Sequence, residues 1–400
     1  MISRLHIKNY KCLDNEDLEF RPLTVLTGTN SSGKSSVLQA VLLLARNCNP
    51  KNRERMYDLI SEYQELPCHA SLTIDGTECR YSSDSDSNSD VDILRWEDSL
   101  YFLTANRIGP EKIAKMSKEY KVGENGEFLF GTFARVGYSE WIYRAEEDAL
   151  KWALNTEFIL RPYVFVSEKN RELDLKIINN FLATEDIAKR MTAFFQKKLG
   201  IKPLVEIQGE LHEVGIKKKE SIYSIHTLVN LWLIHITEAK LYIDSKYQDA
   251  AAAKIYFTHD GTDMISPYNL GSGMSYLAKV LILCFLAKPG DVVMIENPEI
   301  HLHPRAQSRL GEFFAFMAGK GIQLVIETHC EHLLSSLRYQ VYKDRLRSDD
   351  VILYYKADDK TPFEQLRISK NGRYMNREGK QCGFPKGFFD VSVDQLLEIG

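Results

Sequence analysis

Residues 1–8 alternate apolar and polar side chains, the two-residue period of a strand. Leu5 and Ile7, then Leu18 and Phe20, set up two strands, and 23–27 is a third, apolar strand that runs straight into a glycine-rich turn. A helix is predicted over 35–46, where Val37, Leu38, Ala40, Val41, Leu44 and Ala45 line one face. Strands are predicted again at 70–74 and 100–103. The Ser/Asp/Asn-rich stretch 82–90 lies between them; it has nothing to bury and reads as a solvated loop. From 111 to 253 the patterns are mixed, with helical periodicity over 177–199 and 228–236, strand-like alternation over 204–207 and a basic run at Lys217, Lys218 and Lys219. Order then returns as a strand at 254–258, a Gly/Ser turn at 271–273, a helix over 275–286, a strand at 292–295, a helix over 305–317 and a strand at 323–327. Strands alternating with helices predict an α/β fold around a mainly parallel sheet. The chain divides into a first lobe at 1–110, a mixed α/β insertion at 111–253 that is expected to carry the assembly or partner surface, and a second lobe at 254–400.

Composition narrows what this fold serves. With 44% apolar and 26% charged residues the chain is an ordinary globular protein, and its net charge of −4 supplies no global basic field for nucleic acid. Any such contact would be local, for example through Lys197, Lys198, Lys202 and Lys217 to Lys219. The seven cysteines are scattered, without a Cys-x-x-Cys pair, which reads as reduced thiols in a cytoplasm. The strand-like start does not read as a secretory signal. The longest apolar run, 280–287, is too short to span a bilayer, so no membrane role is expected.

The strongest chemical signal is Gly28-Thr29-Asn30-Ser31-Ser32-Gly33-Lys34-Ser35, which fits G-x-x-x-x-G-K-[ST] between a strand and a helix. Glycines there let backbone N–H groups turn inward around phosphates, and the helix N-terminus adds a favourable dipole. Lys34 would carry a positive charge to the terminal phosphates, Ser35 would offer a hydroxyl to Mg²⁺, and Asn30, Ser31, Ser32 and Ser36 would complete the cradle. A second signal is Val292-Val293-Met294-Ile295-Glu296, an apolar strand ending in a carboxylate and followed by Asn297-Pro298-Glu299. A buried parallel strand delivers such an acid to the sheet edge beside the phosphate loop, where it can hold Mg²⁺ or its waters. On its own the pattern is common. The run from Gln323 to His329 repeats this logic and puts His329 where it could reach a terminal phosphate.

Leu270-Gly271-Ser272-Gly273-Met274-Ser275 opens the helix before the Glu296 strand and offers a further set of helix N-terminal N–H groups to an anion. His301 and His303, near Glu299, form an H-x-H that a metal could use, yet no further ligand cluster accompanies them, so they read as shaping the loop.

Taken together, Glu296-Asn297-Pro298-Glu299-Ile300-His301-Leu302-His303-Pro304, the following Arg305-Ala306-Gln307-Ser308, and Glu327-Thr328-His329 resemble the RecF/OLD-like branch of ABC-type ATPases. The runs from Ala105 to Pro110, from Val122 to Glu127 and from Gly383 to Asp390 are similar to a subgroup of predicted ATPases within it. This resemblance implies a two-lobed ABC head with ATP sandwiched between two copies. Many such relatives sit in bacterial antiphage systems beside a separate effector, as in Septu and PARIS. It further implies that Lys34 and Ser35 take the phosphate and Mg²⁺ roles, Glu296 the Walker B acid, Ser272 and Gly273 the signature that covers a partner copy's ATP, and His329 the switch. Asn106 falls near the segment that supplies the glutamine loop in transporters. The chain departs from the pattern at three places: Asn297 stands where many relatives carry a catalytic glutamate, Met274 and Ser275 end the signature, and Cys330 replaces a serine.

The leading expectation is therefore a slowly hydrolysing ATPase, using ATP and Mg²⁺, that assembles with itself and controls an effector such as a nuclease or toxin. Asn297 has no carboxylate to take a proton from water, which leaves Glu299 as a substitute or water merely oriented by Asn297 and His329. A self-contained OLD-type nuclease would need an acidic metal site in the roughly 70 residues after His329, where Asp349, Asp350, Asp358 and Asp359 read as a solvated face. A repair or recombination ATPase of RecF/SMC type would bind DNA through its dimer, but the chain shows no long heptad arm.

Overall fold

The computed structural model describes residues 1–47, 68–82, 98–107, 109–117, 121–123, 125–135, 143–145, 221–223, 225–244, 252–258 and 263–385. The helix expected at 177–199, the strand at 204–207, Lys197, Lys198, Lys202, the basic run 217–219, the loop 83–90 and the run 386–390 lie outside these residues.

In chain order the structure opens with β1 (Ile2–Tyr10), β2 (Leu13–Glu19), β3 (Leu23–Gly28), α1 (Lys34–Asn47), β4 (His69–Ile74), β5 (Thr77–Ser82) and β6 (Leu100–Leu103). There follow β7 (Ile113–Lys115), α2 (Leu129–Arg135), β8 (Tyr143–Ala145), β9 (Ser221–Tyr223), α3 (Ile225–Thr237), β10 (Lys240–Asp244) and β11 (Ala252–Thr258). The last part holds α4 (Gly273–Leu286), β12 (Val292–Glu296), α5 (Pro304–Ala318), β13 (Gln323–Glu327), α6 (Glu331–Tyr342), β14 (Val351–Lys356), β15 (Glu364–Ile368) and β16 (Tyr374–Met375).

The central sheet runs β16-β15-β14-β3-β13-β12-β6. Its five strands from β14 to β6 are parallel, and β15 and β16 extend it antiparallel. This is the mainly parallel sheet that the alternation of elements predicts. Parallel strands are covered on both faces, and β3 and β13 accordingly have every residue buried. The two-residue period sorts side chains between two cores: Val292 and Met294 of β12 join one, Val293 and Ile295 the other. The first core lies between the central sheet and a four-stranded antiparallel sheet, β2-β1-β4-β5, with α1 between them. The second holds α2 to α6 on the opposite face. Of these, α4 is apolar nearly all round, as its burial requires, and its one buried cation, Lys279, meets Glu111 at 3.1 Å.

Gln323 ties the two sheets together. Its amide accepts from the Ile2 N–H at 2.7 Å and donates to the Ile2 and Arg21 carbonyls at 2.7 and 3.2 Å. Within the interval 111–253, α2 and α3 are built into the second core. Phe130, Phe133, Val229 and Trp232 share that core with Leu281 and Phe285 of α4, and the Trp232 and Phe313 rings meet edge-on at 5.0 Å. Among the described residues, no helix is long and apolar enough to cross a membrane.

Candidate nucleotide site

At the C-terminal edge of the parallel sheet, β3 gives way to the loop 28–33 and then to α1. Two glycines make that turn possible. Gly28 has φ 139°, and a Cβ there would meet the Lys356 carbonyl oxygen at 2.0 Å; Gly33 has φ 105°, and its Cβ would lie 2.7 Å from Cys12 Sγ. The neighbouring strand end clasps the loop through Thr29, whose N–H donates to the Lys356 carbonyl at 3.2 Å and whose hydroxyl donates to the Ala357 carbonyl at 2.5 Å. Asn30 and Ser31 are exposed at the tip, Ser31 with φ 60°, while Ser32 is buried and donates to the Thr29 carbonyl at 2.9 Å. Ser36 lies 3.9 Å from Cys12 Sγ.

Lys34 is only 2% exposed. Its ammonium folds back over the loop to the Thr29 carbonyl and to Ser32 Oγ. Burial lowers its pKa, and the Glu327 carboxylate opposes that fall. A buried cation held by loop atoms is suited to exchange those contacts for phosphate oxygens. The glycine cradle, which a Cβ would fill, fits such a group.

Three carboxylates lie at this edge of the sheet, one of them bonded to Ser35. Glu296 and Glu327 end adjacent parallel strands in register, β12 and β13. Glu296 Oε2 accepts the Ala105 N–H at 2.9 Å, and burial raises its pKa. Glu327 Oε1 accepts the Ser35 hydroxyl at 2.9 Å, while its Oε2 is buried without a protein partner. Burial, reinforced by the charges of Glu296 and Glu299, lifts the Glu327 carboxyl to about 7 against the pull of Ser35 and Lys34. Glu299 Oε1 accepts the Thr328 hydroxyl at 2.7 Å and the His329 N–H at 3.1 Å, its Oε2 is buried and unpartnered, and burial raises its pKa.

Asn297 sits in the left-handed region with φ 42°, which asparagine tolerates better than most residues. Its N–H donates to the Glu327 carbonyl at 2.8 Å, and its side-chain oxygen is buried without a partner. The His329 side chain is exposed; desolvation and the charge of Lys34 lower its pKa, and bonding to the Gly28 backbone opposes them. Residues 28–36, Glu327 and His329 thus gather around Lys34, with Glu296 and Asn297 one strand further on.

Ser272 and Gly273 stand elsewhere, at the start of α4 against the loop after β12. A Cβ on Gly273 would meet the His301 carbonyl oxygen at 2.4 Å, and the Ser272 side chain makes no capping bond. His301 lies beside the Tyr276 ring at 5.3 Å, and His303 caps α5 by accepting the Arg305 N–H at 3.3 Å. Asp350 pairs with Arg347 at 2.7 Å, and Asp358 accepts the Lys360 and Thr361 N–H groups.

Two residues that the sequence left unweighed complete the site. Arg107 is buried and donates to the carbonyls of Thr104, Glu296 and Asn297 at 3.2, 2.9 and 2.9 Å, and Tyr276 lies 5.1 Å under its guanidinium. It joins the β6 end to the Glu296 loop and to α4, and no local spacing announces it. Glu327 carries the same signal as Glu296, an acid closing an apolar strand.

A glycine-rich loop holding a buried lysine, with β13 intervening between its strand and the Glu296 strand, defines a P-loop ATPase of α/β architecture. The chain belongs to the family described as "AAA domain, putative AbiEii toxin, Type IV TA system", whose sequence model matches residues 23–335. It is also 40% identical over 387 residues to the OLD nuclease of Thermus scotoductus. That match takes in 92% of this chain and 66% of the relative, so the chain spans about two thirds of that protein's length. These matches agree with the RecF/OLD-like resemblance read from the motifs. Among solved structures it is similar to the Smc head domain of Pyrococcus furiosus bound to part of ScpA (TM-score 0.48, 15% identity, 100% of this chain and 99% of that one). It is also similar to the recombination mediator RecF with a bound ATP analogue (TM-score 0.38, 13% identity, 91% and 98%).

Proposed function

We propose that the chain binds ATP with Mg²⁺ at the 28–36 loop, hydrolyses it slowly, and uses the bound nucleotide as an assembly signal. The observation that carries this reading is the buried Lys34 ammonium held over a glycine cradle, beside a site whose expected catalytic carboxylate is an amide. Lys34 would exchange its loop contacts for terminal phosphate oxygens. Ser35 and Glu296 would hold the magnesium, which supplies charge neutralisation at the phosphates. Asn297 can orient water but not take its proton, and Glu299 Oε1 is already engaged by Thr328 and His329. Turnover is therefore slow, well below about one per second, since a missing general base costs about 10²–10⁴-fold.

Two copies would close over the nucleotide, with Ser272 and the α4 N-terminus of one facing the phosphates of the other. The paired state would then control an effector, and bacterial antiphage defence is the setting this reading favours. The similarity to an OLD nuclease supports a second reading, in which the chain is itself an OLD-type ATP-dependent nuclease. Calorimetry of wild type and Lys34→Ala with Mg²⁺–ATP tests the site. Loss of about tenfold or more in affinity is expected from charge-assisted bonds of about 1.5–3 kcal/mol, and equal affinity refutes the assignment. Incubating the ATP-loaded chain with single- and double-stranded DNA separates the readings: intact DNA supports the switch, and Mg²⁺-dependent cleavage the nuclease.

A further inference from the structure

We infer that Glu327 is an acidic arm of the magnesium site, positioning the Ser35 hydroxyl and turning its free oxygen toward the metal's water shell. The inference rests on the proposal above that the loop binds Mg²⁺–ATP. Glu296 is the acid that the motif suggests for this duty, yet the Ser35 hydroxyl bonds to Glu327. Strand order explains the difference. Strand β13 lies between β3 and β12, so its terminal acid stands next to the phosphate loop, whereas Glu296 is one strand further away.

The two oxygens of Glu327 have different work. Oε1 takes the Ser35 proton at 2.9 Å, which leaves the serine lone pairs available to a cation. Oε2 belongs to a residue only 4% exposed and has no protein partner. A buried carboxylate oxygen without a donor is costly and calls for an explanation such as a water or ion. A hydrated divalent cation supplies water O–H donors, or itself, to such an oxygen. Glu296 Oε2, by contrast, is already satisfied by the Ala105 N–H on the β6 side. If Glu327 were only a cap for the serine, the metal would not notice its loss.

The test is titration of a fluorescent ATP analogue into the full chain, in excess Mg²⁺ and in EDTA, for wild type, Glu327→Gln, Glu327→Asp, Glu296→Gln and Lys34→Ala. Manganese binding to each nucleotide complex is followed by electron paramagnetic resonance. Wild type should gain affinity on adding Mg²⁺. Glu327→Gln should lose about 10–100-fold of that gain, and of Mn²⁺ affinity, while binding at least as well as wild type in EDTA. Glu327→Asp, which keeps the charge, should recover part of the loss and guards against a folding defect in the glutamine variant. The inference is overturned if Glu327→Gln keeps the full gain while Glu296→Gln loses it, or if Glu327→Gln weakens binding equally with and without metal. A wild type that binds no nucleotide, or a Lys34→Ala variant that binds normally, overturns the proposed function and this inference with it.

Discussion

Replacing Glu327 by glutamine should stabilise the nucleotide-free, metal-free protein at alkaline pH, although it removes a residue of the candidate site. The side chain is nearly fully buried, and its carboxyl is lifted from 4.5 to about 7. Such an acid holds its proton more tightly in the folded than in the unfolded chain. Unfolding therefore releases a proton between pH 4.5 and 7, and stability falls as pH rises through that window. At about 1.4 kcal/mol per pH unit the full cost, reached above pH 7, is about 3 kcal/mol, an upper bound because site water can relax around the charge. Glutamine keeps an acceptor for Ser35 and does not titrate. Any packing or hydrogen-bond difference it introduces is the same at every pH, so the change in its effect with pH isolates the charge. Urea unfolding of both proteins in EDTA, at pH 5 and pH 8, measures this. The glutamine variant should gain about 2–3 kcal/mol relative to wild type between the two conditions. An unchanged difference would refute the reasoning, because it would mean that the carboxylate is solvated well enough to ionise normally. Mg²⁺–ATP should reverse the order at pH 8, since the wild-type charge then has a partner.

Gly28→Ala puts a methyl group 2.0 Å from the Lys356 carbonyl at a φ of 139° and should cost at least about 2 kcal/mol in urea unfolding, together with nucleotide affinity; a neutral effect would show that β14 can slide off the loop. Ser272→Glu tests the signature better than any change at Gly273, where a Cβ would strike the His301 carbonyl within the same chain. Sedimentation in Mg²⁺ and ATP should find the Ser272→Glu variant bound to nucleotide but unpaired, and normal pairing would count against the signature assignment. Asn297→Glu should raise phosphate release about tenfold or more by restoring a proton acceptor, less whatever the left-handed φ of 42° costs a glutamate. A rate that stays the same or drops would show that the missing carboxylate is not what limits turnover.

Elements with apolar side chains in a compact run or along one face were legible from the sequence, since 23–27, 100–103, 254–258, 292–295 and 323–327 each fall on a strand of the structure. The helices at 35–46, 228–236, 275–286 and 305–317 were legible for the same reason and fall within α1, α3, α4 and α5. The short helix α2 was not, because LFGTFAR carries a glycine in its middle and buries six of its seven residues, leaving no polar face to give a period. Strands β14 to β16 were not legible: β14, VILYYK, is buried throughout like β13, but no motif stands at its end to single it out. At the site, Lys34 and its loop were legible because the motif is local. The Ser35–Glu327 bond spans 292 residues, and Arg107 reaches three carbonyls, two of them 189 and 190 residues away. Side-chain partners so distant in the chain leave no trace in spacing.

The position of β3 has a consequence for how the protein comes into being. This strand pairs with β13 and β14, whose first residues follow its own by about 300 and 330 positions. During synthesis about 300 residues therefore follow this strand before either flanking strand exists. Until Lys356 has left the ribosome, Gly28 and Thr29 have no wall to lean on, and an apolar strand with both edges unpaired is exposed to wrong partners. The phosphate loop thus gains its wall only with β14, and a protein shortened before β14 would lack the strand that this loop is folded against.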